Sequence, residues 1–149
     1  MTSQNFLDCA QFELLMLGKP YIDRCCHEDA VDCWGLVVLF YRLCHGINVH
    51  HDDSYSTGGD FVTCFDSEVA FWLETTTPKV GDVVVAYRGS HPVHVALWWG
   101  RDKILHAREK TAVKTDRLRT LEKLSTKLRF LAYAGDSHSE NARGAKGNW

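Results

Sequence analysis

No apolar run in this chain of 149 residues approaches the ~20 residues that a membrane-spanning helix needs, so no span is expected. The opening stretch, MTSQNFLDCAQFELL, lacks a basic n-region and a small-residue cleavage site, so no signal peptide is expected either. Net charge is scarce, at -2. There is no glycine-rich loop to cradle a phosphate and no internal repeat, which speaks against a nucleotide-binding P-loop and against a solenoid. The cysteines never fall at the C-x2-4-C spacing of a zinc site. A metal reading would have to draw on Cys25, Cys26, His27 and Cys33, with His45, His50 or His51, and no metal or other cofactor is expected.

What is present suits one domain with a sizeable core: 45% of the residues are hydrophobic and 24% charged. The domain is read as residues 1–135, followed by a polar, Gly-rich tail over 136–149 that is expected to be mobile. Six cysteines without an export signal read as reduced thiols. Charge is unevenly spread, because residues 101–129 hold ten Lys or Arg against four Asp or Glu and leave the remainder acidic. Basic residues so mixed with acids form an ordinary solvated face, and nucleic acid is not an expected partner.

Apolar residues at Phe6, Leu7, Ala10, Leu14 and Leu17 predict a helix over 4–17 that Gly18 and Pro20 end. A second helix is predicted over 33–45, with Asp32 as N-cap and Gly46 past its C-terminus, and its near-continuous apolar sequence predicts burial. Residues 47–59 read as loop, and a short helix is expected over 66–74. After Pro78 the pattern changes to strands over 82–87, 94–99, 103–107, 112–118 and 128–134. Helices followed by an antiparallel sheet give the α+β class.

Cys33 would stand in the first turn of the second helix. Unpaired N–H groups and the positive end of the helix dipole favour thiolate over thiol there, as a nucleophile requires. Asp32 opposes this with its own charge unless capping consumes it, and Gly35 leaves room for something to approach closely. Cys9, Cys44 and Cys64 read instead as small buried apolar residues.

A thiol nucleophile needs a base, and HPVHVALWWGRDKILHA offers His91, His94 and His106. His91 precedes a proline and is expected in a loop. If Gly100, Arg101 and Asp102 form a three-residue loop, Trp98 opposes Ile104 and Ala96 opposes His106. His94 and His106 then share a face, diagonal to each other, with Cα atoms about 7–8 Å apart. A two-residue loop would shift the pairing by one and send the rings to opposite faces. One ring could take the thiol proton while the other fixes the first ring's tautomer.

The strings DCWGLV, VGDVVVAY, HVALWWG and ILHA, in that order, resemble the NlpC/P60 superfamily of papain-like cysteine peptidases, over about residues 18–134. The resemblance implies a papain-like fold with N-terminal helices packed on a C-terminal antiparallel sheet. It implies Cys33 as nucleophile, His94 as general base and His106 as the residue that orients it. Tyr21, in GKPY twelve positions before Cys33, matches a tyrosine beside the substrate and oxyanion region, where Asp32 and Trp34 are expected too. The implied activity is hydrolysis of peptide bonds in bacterial cell-wall stem peptides. The Cys-Trp form of the motif resembles, more narrowly, the hydrolases of phage tail tips and gene transfer agents, which makes other tail-tip proteins the expected partners and the virion the expected location. Trp34 departs from the Ser of many cellular members, no Gly pair follows Tyr21, and a His- and Asp-rich loop lengthens the gap between Cys33 and His94. Two other readings compete: a structural tail-tip adaptor or plug with little activity, and a cytoplasmic amidase or acyltransferase on the same fold.

Overall fold

Asp32 and Gly46 bracket a helix, the second in the chain, that carries the residue of greatest chemical interest. The computed structural model describes residues 5–49 and 72–134. In chain order the first helix, α1, is Cys9–Met16 and the bracketed one, α2, is Cys33–His45. Asp32 is extended and accepts from the Gly35 N–H; Gly46, at φ 67°, takes the left-handed conformation that glycine adopts without strain and donates back to Arg42. Every residue of α2 from Cys33 to Tyr41 is buried.

α1 is shorter than the 4–17 expected, because Asp8 and Gln11 form a reciprocal capping box that starts the helix at Cys9. Its buried face is Phe12 and Met16, one turn apart, whereas Leu14 is 79% exposed, so the stripe read through Phe6, Leu14 and Leu17 is not the core face. Between the helices lies a small hairpin, β1 (Cys26–His27) with β2 (Ala30–Val31), too short to leave a period in the sequence.

The main sheet comprises β3 (Trp72–Glu74), β4 (Val83–Arg88), β5 (His91–Gly100), β6 (Lys103–Ala107), β7 (Val113–Arg117) and β8 (Lys127–Tyr133). Its order is β3-β8-β4-β5-β6-β7 and every pairing is antiparallel, which is the α+β architecture expected. Trp72–Glu74 is a strand rather than the end of a helix, since it pairs with β8; residues 66–71 of that expected helix lie outside the described residues, as do 50–59 of the expected loop and the 136–149 tail. The stretch after β7 turns into a further helix, α3 (Leu118–Leu124).

The central strands are buried on both faces. Val83, Val85, Val95, Leu97 and Leu105 join the core built on α2, while Val84, Ala96 and Ile104 pack with Leu121 of α3. Double-sided burial explains why VVVAY runs apolar without alternation.

The β5–β6 turn differs from the expected loop. Gly100 pairs with Lys103, leaving a two-residue turn of Arg101 and Asp102 at φ 54° and 61°. The register then shifts between Trp98 and Gly100, so Trp99 bulges out and Trp98 still opposes Ile104. The bulge restores the register that the shorter turn alone would have lost.

Candidate active site

The start of α2 is strapped to the segment before it by one carboxylate. Asp32 is only 2% exposed, and its Oδ1 accepts from the Gly35 N–H at 2.6 Å while Oδ2 accepts from the Arg24 N–H at 3.0 Å. Its own N–H donates to the Cys25 carbonyl at 3.0 Å. That carbonyl occupies the space beside Gly35: a Cβ there would sit 1.9 Å from the oxygen. The close approach that Gly35 permits is therefore by the chain itself.

Cys33 opens the helix and is 6% exposed. The N–H groups of Val95, Trp34 and Cys33 itself are directed at its sulfur and favour thiolate, but burial first, and then the Asp32 carboxylate, push the thiol well above its ordinary value. The expected lowering by the helix start is thus overridden. Capping does not spend the Asp32 charge; it fixes that charge beside the sulfur.

His94 immediately precedes Val95 on β5. Its Nε2 lies 2.9 Å from Nδ1 of His106 on β6, with the two rings at 72°. His106 is 1% exposed, and its Nε2 lies 2.7 Å from Oδ2 of Asp116 on β7. Arg108 and Lys114 each bring a cationic nitrogen within 3.8 Å of the Asp116 carboxylate. Burial, with the neighbouring His106 and Arg108, pushes His94 down to about 3. Burial also lowers His106, outweighing the hydrogen bond and charge of Asp116 that pull it up. Both rings are therefore neutral at physiological pH.

Tyr21 pairs with Val31, and its phenol is pushed up by burial first and then by Cys33 and Asp32, which keeps it a protonated donor near the thiol. The side chain of Trp34 is 1% exposed and belongs to the core. Its backbone N–H is directed at the Cys33 sulfur. Asp32 is a buried cap. His91 is exposed and begins β5 rather than lying in a loop. Cys9 and Cys44 are half-buried; Cys64, His50 and His51 lie outside the described residues. Among the described residues, no three His, Cys, Asp or Glu side chains gather as a metal site would require.

Asp116 lies outside the motif strings. Its signal was available in VKTDR, where it stands opposite Ile104 and so one diagonal step from His106. An open concavity of about 560 Å³ borders Asp116 with Arg101, Lys103, Thr115 and Arg117, but none of Tyr21, Cys33, His94 or His106 lines it. A buried thiol ringed by backbone N–H groups, with neutral imidazoles on the adjoining strands, has the groups that acyl transfer uses: a nucleophile, a base and oxyanion donors.

A family model described as "NlpC/P60 family" matches residues 18–129. No curated protein matches the chain. Among solved structures, the NlpC/p60 domain of the peptidoglycan hydrolase SagA is similar at 19% identity and TM-score 0.54, over 74% of this chain and 86% of that one. An NlpC/P60 family protein from Bacillus cereus is similar at 23% identity and TM-score 0.56, over 73% of this chain and 33% of that one. NlpC1 from Trichomonas vaginalis is similar at 19% identity and TM-score 0.57, over 73% of this chain and 38% of that one. The chain thus spans well under half the length of the latter two proteins.

Proposed function

The chain belongs to the NlpC/P60 family, and from that premise we propose that it is a cysteine endopeptidase that cleaves a peptide bond in bacterial cell-wall stem peptides. Cys33 is the nucleophile, His94 the general base and His106 its orienter, with Tyr21 beside the substrate. The observation that carries this reading is the meeting of two strands with a helix start: the Val95 N–H directed at the Cys33 sulfur, and His94, the residue before Val95, tied to His106.

The raised thiol and lowered imidazole dictate the order of events. The resting pair is neutral, so His94 removes the thiol proton as sulfur attacks the amide carbonyl, rather than holding a preformed thiolate. The negative oxygen that develops is held by backbone N–H groups at the start of α2. His94 then returns the proton to the leaving amine, and water hydrolyses the thioester with His94 again as base.

The protein's place is in the tail tip of a phage, alongside other tail proteins; the Cys-Trp form of DCWG supports this finer reading. One observation favours a second reading, a tail-tip adaptor with little activity: Cys33 is almost wholly covered, and its thiol is poorly ionised.

Mass spectrometry of defined stem peptides incubated with the wild type, Cys33→Ala and His94→Ala tests the enzyme, and incorporation of Cys33→Ala into tails tests the setting. The enzyme reading expects cleavage by the wild type, none by either variant, and a small residual rate in His106→Ala. Wild-type cleavage that survives in Cys33→Ala overturns it. Absence of cleavage together with normal tail incorporation supports the adaptor.

A further inference from the structure

Asp116 belongs to none of the motif strings, yet it ends a chain of hydrogen bonds that leads through both rings. We propose that Asp116 is a positioning residue: it fixes which nitrogen carries the proton in His106 and, through it, in His94, leaving the Nδ1 of His94 bare to act as base. The functional consequence rests on the proposed roles of Cys33 and His94, but the proton pattern itself does not.

The derivation uses only donor counting. An ionised carboxylate accepts and cannot donate, so the proton between Oδ2 of Asp116 and Nε2 of His106, 2.7 Å apart, belongs to His106. A neutral imidazole carries one N–H, so Nδ1 of His106 is bare. That nitrogen lies 2.9 Å from Nε2 of His94, and the bond between them needs one proton, which His94 must supply. His94 has then used its only N–H, and its Nδ1 holds a lone pair. Burial supplies the condition that both rings be neutral. Besides His106 itself, Arg108 and Lys114 face the Asp116 carboxylate, both with opposite charge.

The reverse pattern would serve badly. If His106 carried its proton on Nδ1, His94 would have to accept at Nε2 and carry its own proton on Nδ1, presenting a donor where a base is needed. Replacing Asp116 by Asn permits that reversal, because the amide can donate to Nε2 of His106. A carboxylate-to-amide change of this kind behind a catalytic histidine lowers turnover by up to about 10⁴-fold with the geometry intact.

Nitrogen-15 NMR of histidine-labelled protein reads the pattern without substrate. The wild type is expected to show His106 and His94 both protonated at Nε2. Asp116→Asn is expected to show both protonated at Nδ1 and kcat/KM reduced by about 10²–10⁴-fold, with Asp116→Glu recovering part of each. A wild-type spectrum with the proton of either ring on Nδ1 overturns the proposal, whether or not the variants fold. So does an Asp116→Asn protein that folds and keeps the wild-type pattern. A wild type with the expected pattern that cleaves no stem peptide leaves the proposal standing and refutes the peptidase reading instead.

Discussion

The carbonyl of Cys25 fills the space that a side chain at position 35 would need, at 1.9 Å from the place of a Cβ, and the same carbonyl accepts the N–H of Asp32. Because the obstacle is backbone that is itself held by a hydrogen bond, it cannot swing aside as a flexible side chain would. Gly35→Ala is expected to cost about 3 kcal/mol or more, at the upper end of overpacking penalties, measured by urea unfolding. A loss below about 1 kcal/mol would show that the strap around the helix start is loose.

Asp32→Asn separates capping from charge. The amide oxygen can still accept from Gly35, so the cap is kept although the bond from the Arg24 N–H is lost, while the carboxylate that disfavours the Cys33 thiolate is gone. The thiol is expected to move down toward its ordinary value, and alkylation of Cys33 at pH 8 to quicken about tenfold or more, a one-unit shift. In the wild type, Cys33 should be slow to label at neutral pH. Rapid labelling of wild-type Cys33 at mildly acidic pH would restore the thiolate that burial argues against.

Acid should destabilise the fold through the paired rings of His94 and His106. His94 is at 6.5 in the unfolded reference and about 3 when folded, so across that window the unfolded chain binds the proton and the folded chain resists it. Stability is therefore full above pH 6.5 and falls as pH drops toward 3, by on the order of 2 kcal/mol at pH 5 for this ring alone. Urea midpoints measured between pH 7.5 and 4.5 should decline, and His94→Gln should flatten the decline. A flat wild-type profile would mean that the ring is more readily protonated than its burial implies.

The β5–β6 turn has room for improvement. Arg101 and Asp102 both sit at positive φ, where a side chain is strained and where Asn-Gly is preferred. The double substitution Arg101→Asn with Asp102→Gly should stabilise by about 1 kcal/mol, seen as a higher urea midpoint. Destabilisation would imply that one of the two native side chains has a role in this turn.

Legibility tracked how far each signal extends along the chain. The helix at 33–45 could be bounded to the residue because Asp32 and Gly46 are local signals that act on adjacent backbone. The shared face of His94 and His106 could be reached by counting across one hairpin. The turn was miscounted because a bulge at Trp99 is set by pairing with a neighbouring strand, which no local pattern records. Asp116 was hidden for a similar reason: in VKTDR it looks like one more solvated charge, and its partner lies on another strand. The state of Cys33 is not legible in the sequence, where the helix terminus is visible while the depth of burial is a property of the assembled core.

The bulged Trp99 makes the length of an exposed turn a matter of parity. Strand residues alternate between faces, so flattening the bulge with no residue lost, and with Gly100 still opposite Lys103, would set His106 across from Leu97. Leu97 lies on the opposite face of β5 from Ala96, so His94 and His106 would part, while His106 and Asp116, on β6 and β7, would stay together. Surface turns ordinarily tolerate gain or loss of a residue during descent. Here loss of Trp99 itself should be tolerated, because Trp98 then meets Ile104 without a bulge, whereas a change that draws Trp99 into the ladder with every residue kept should not.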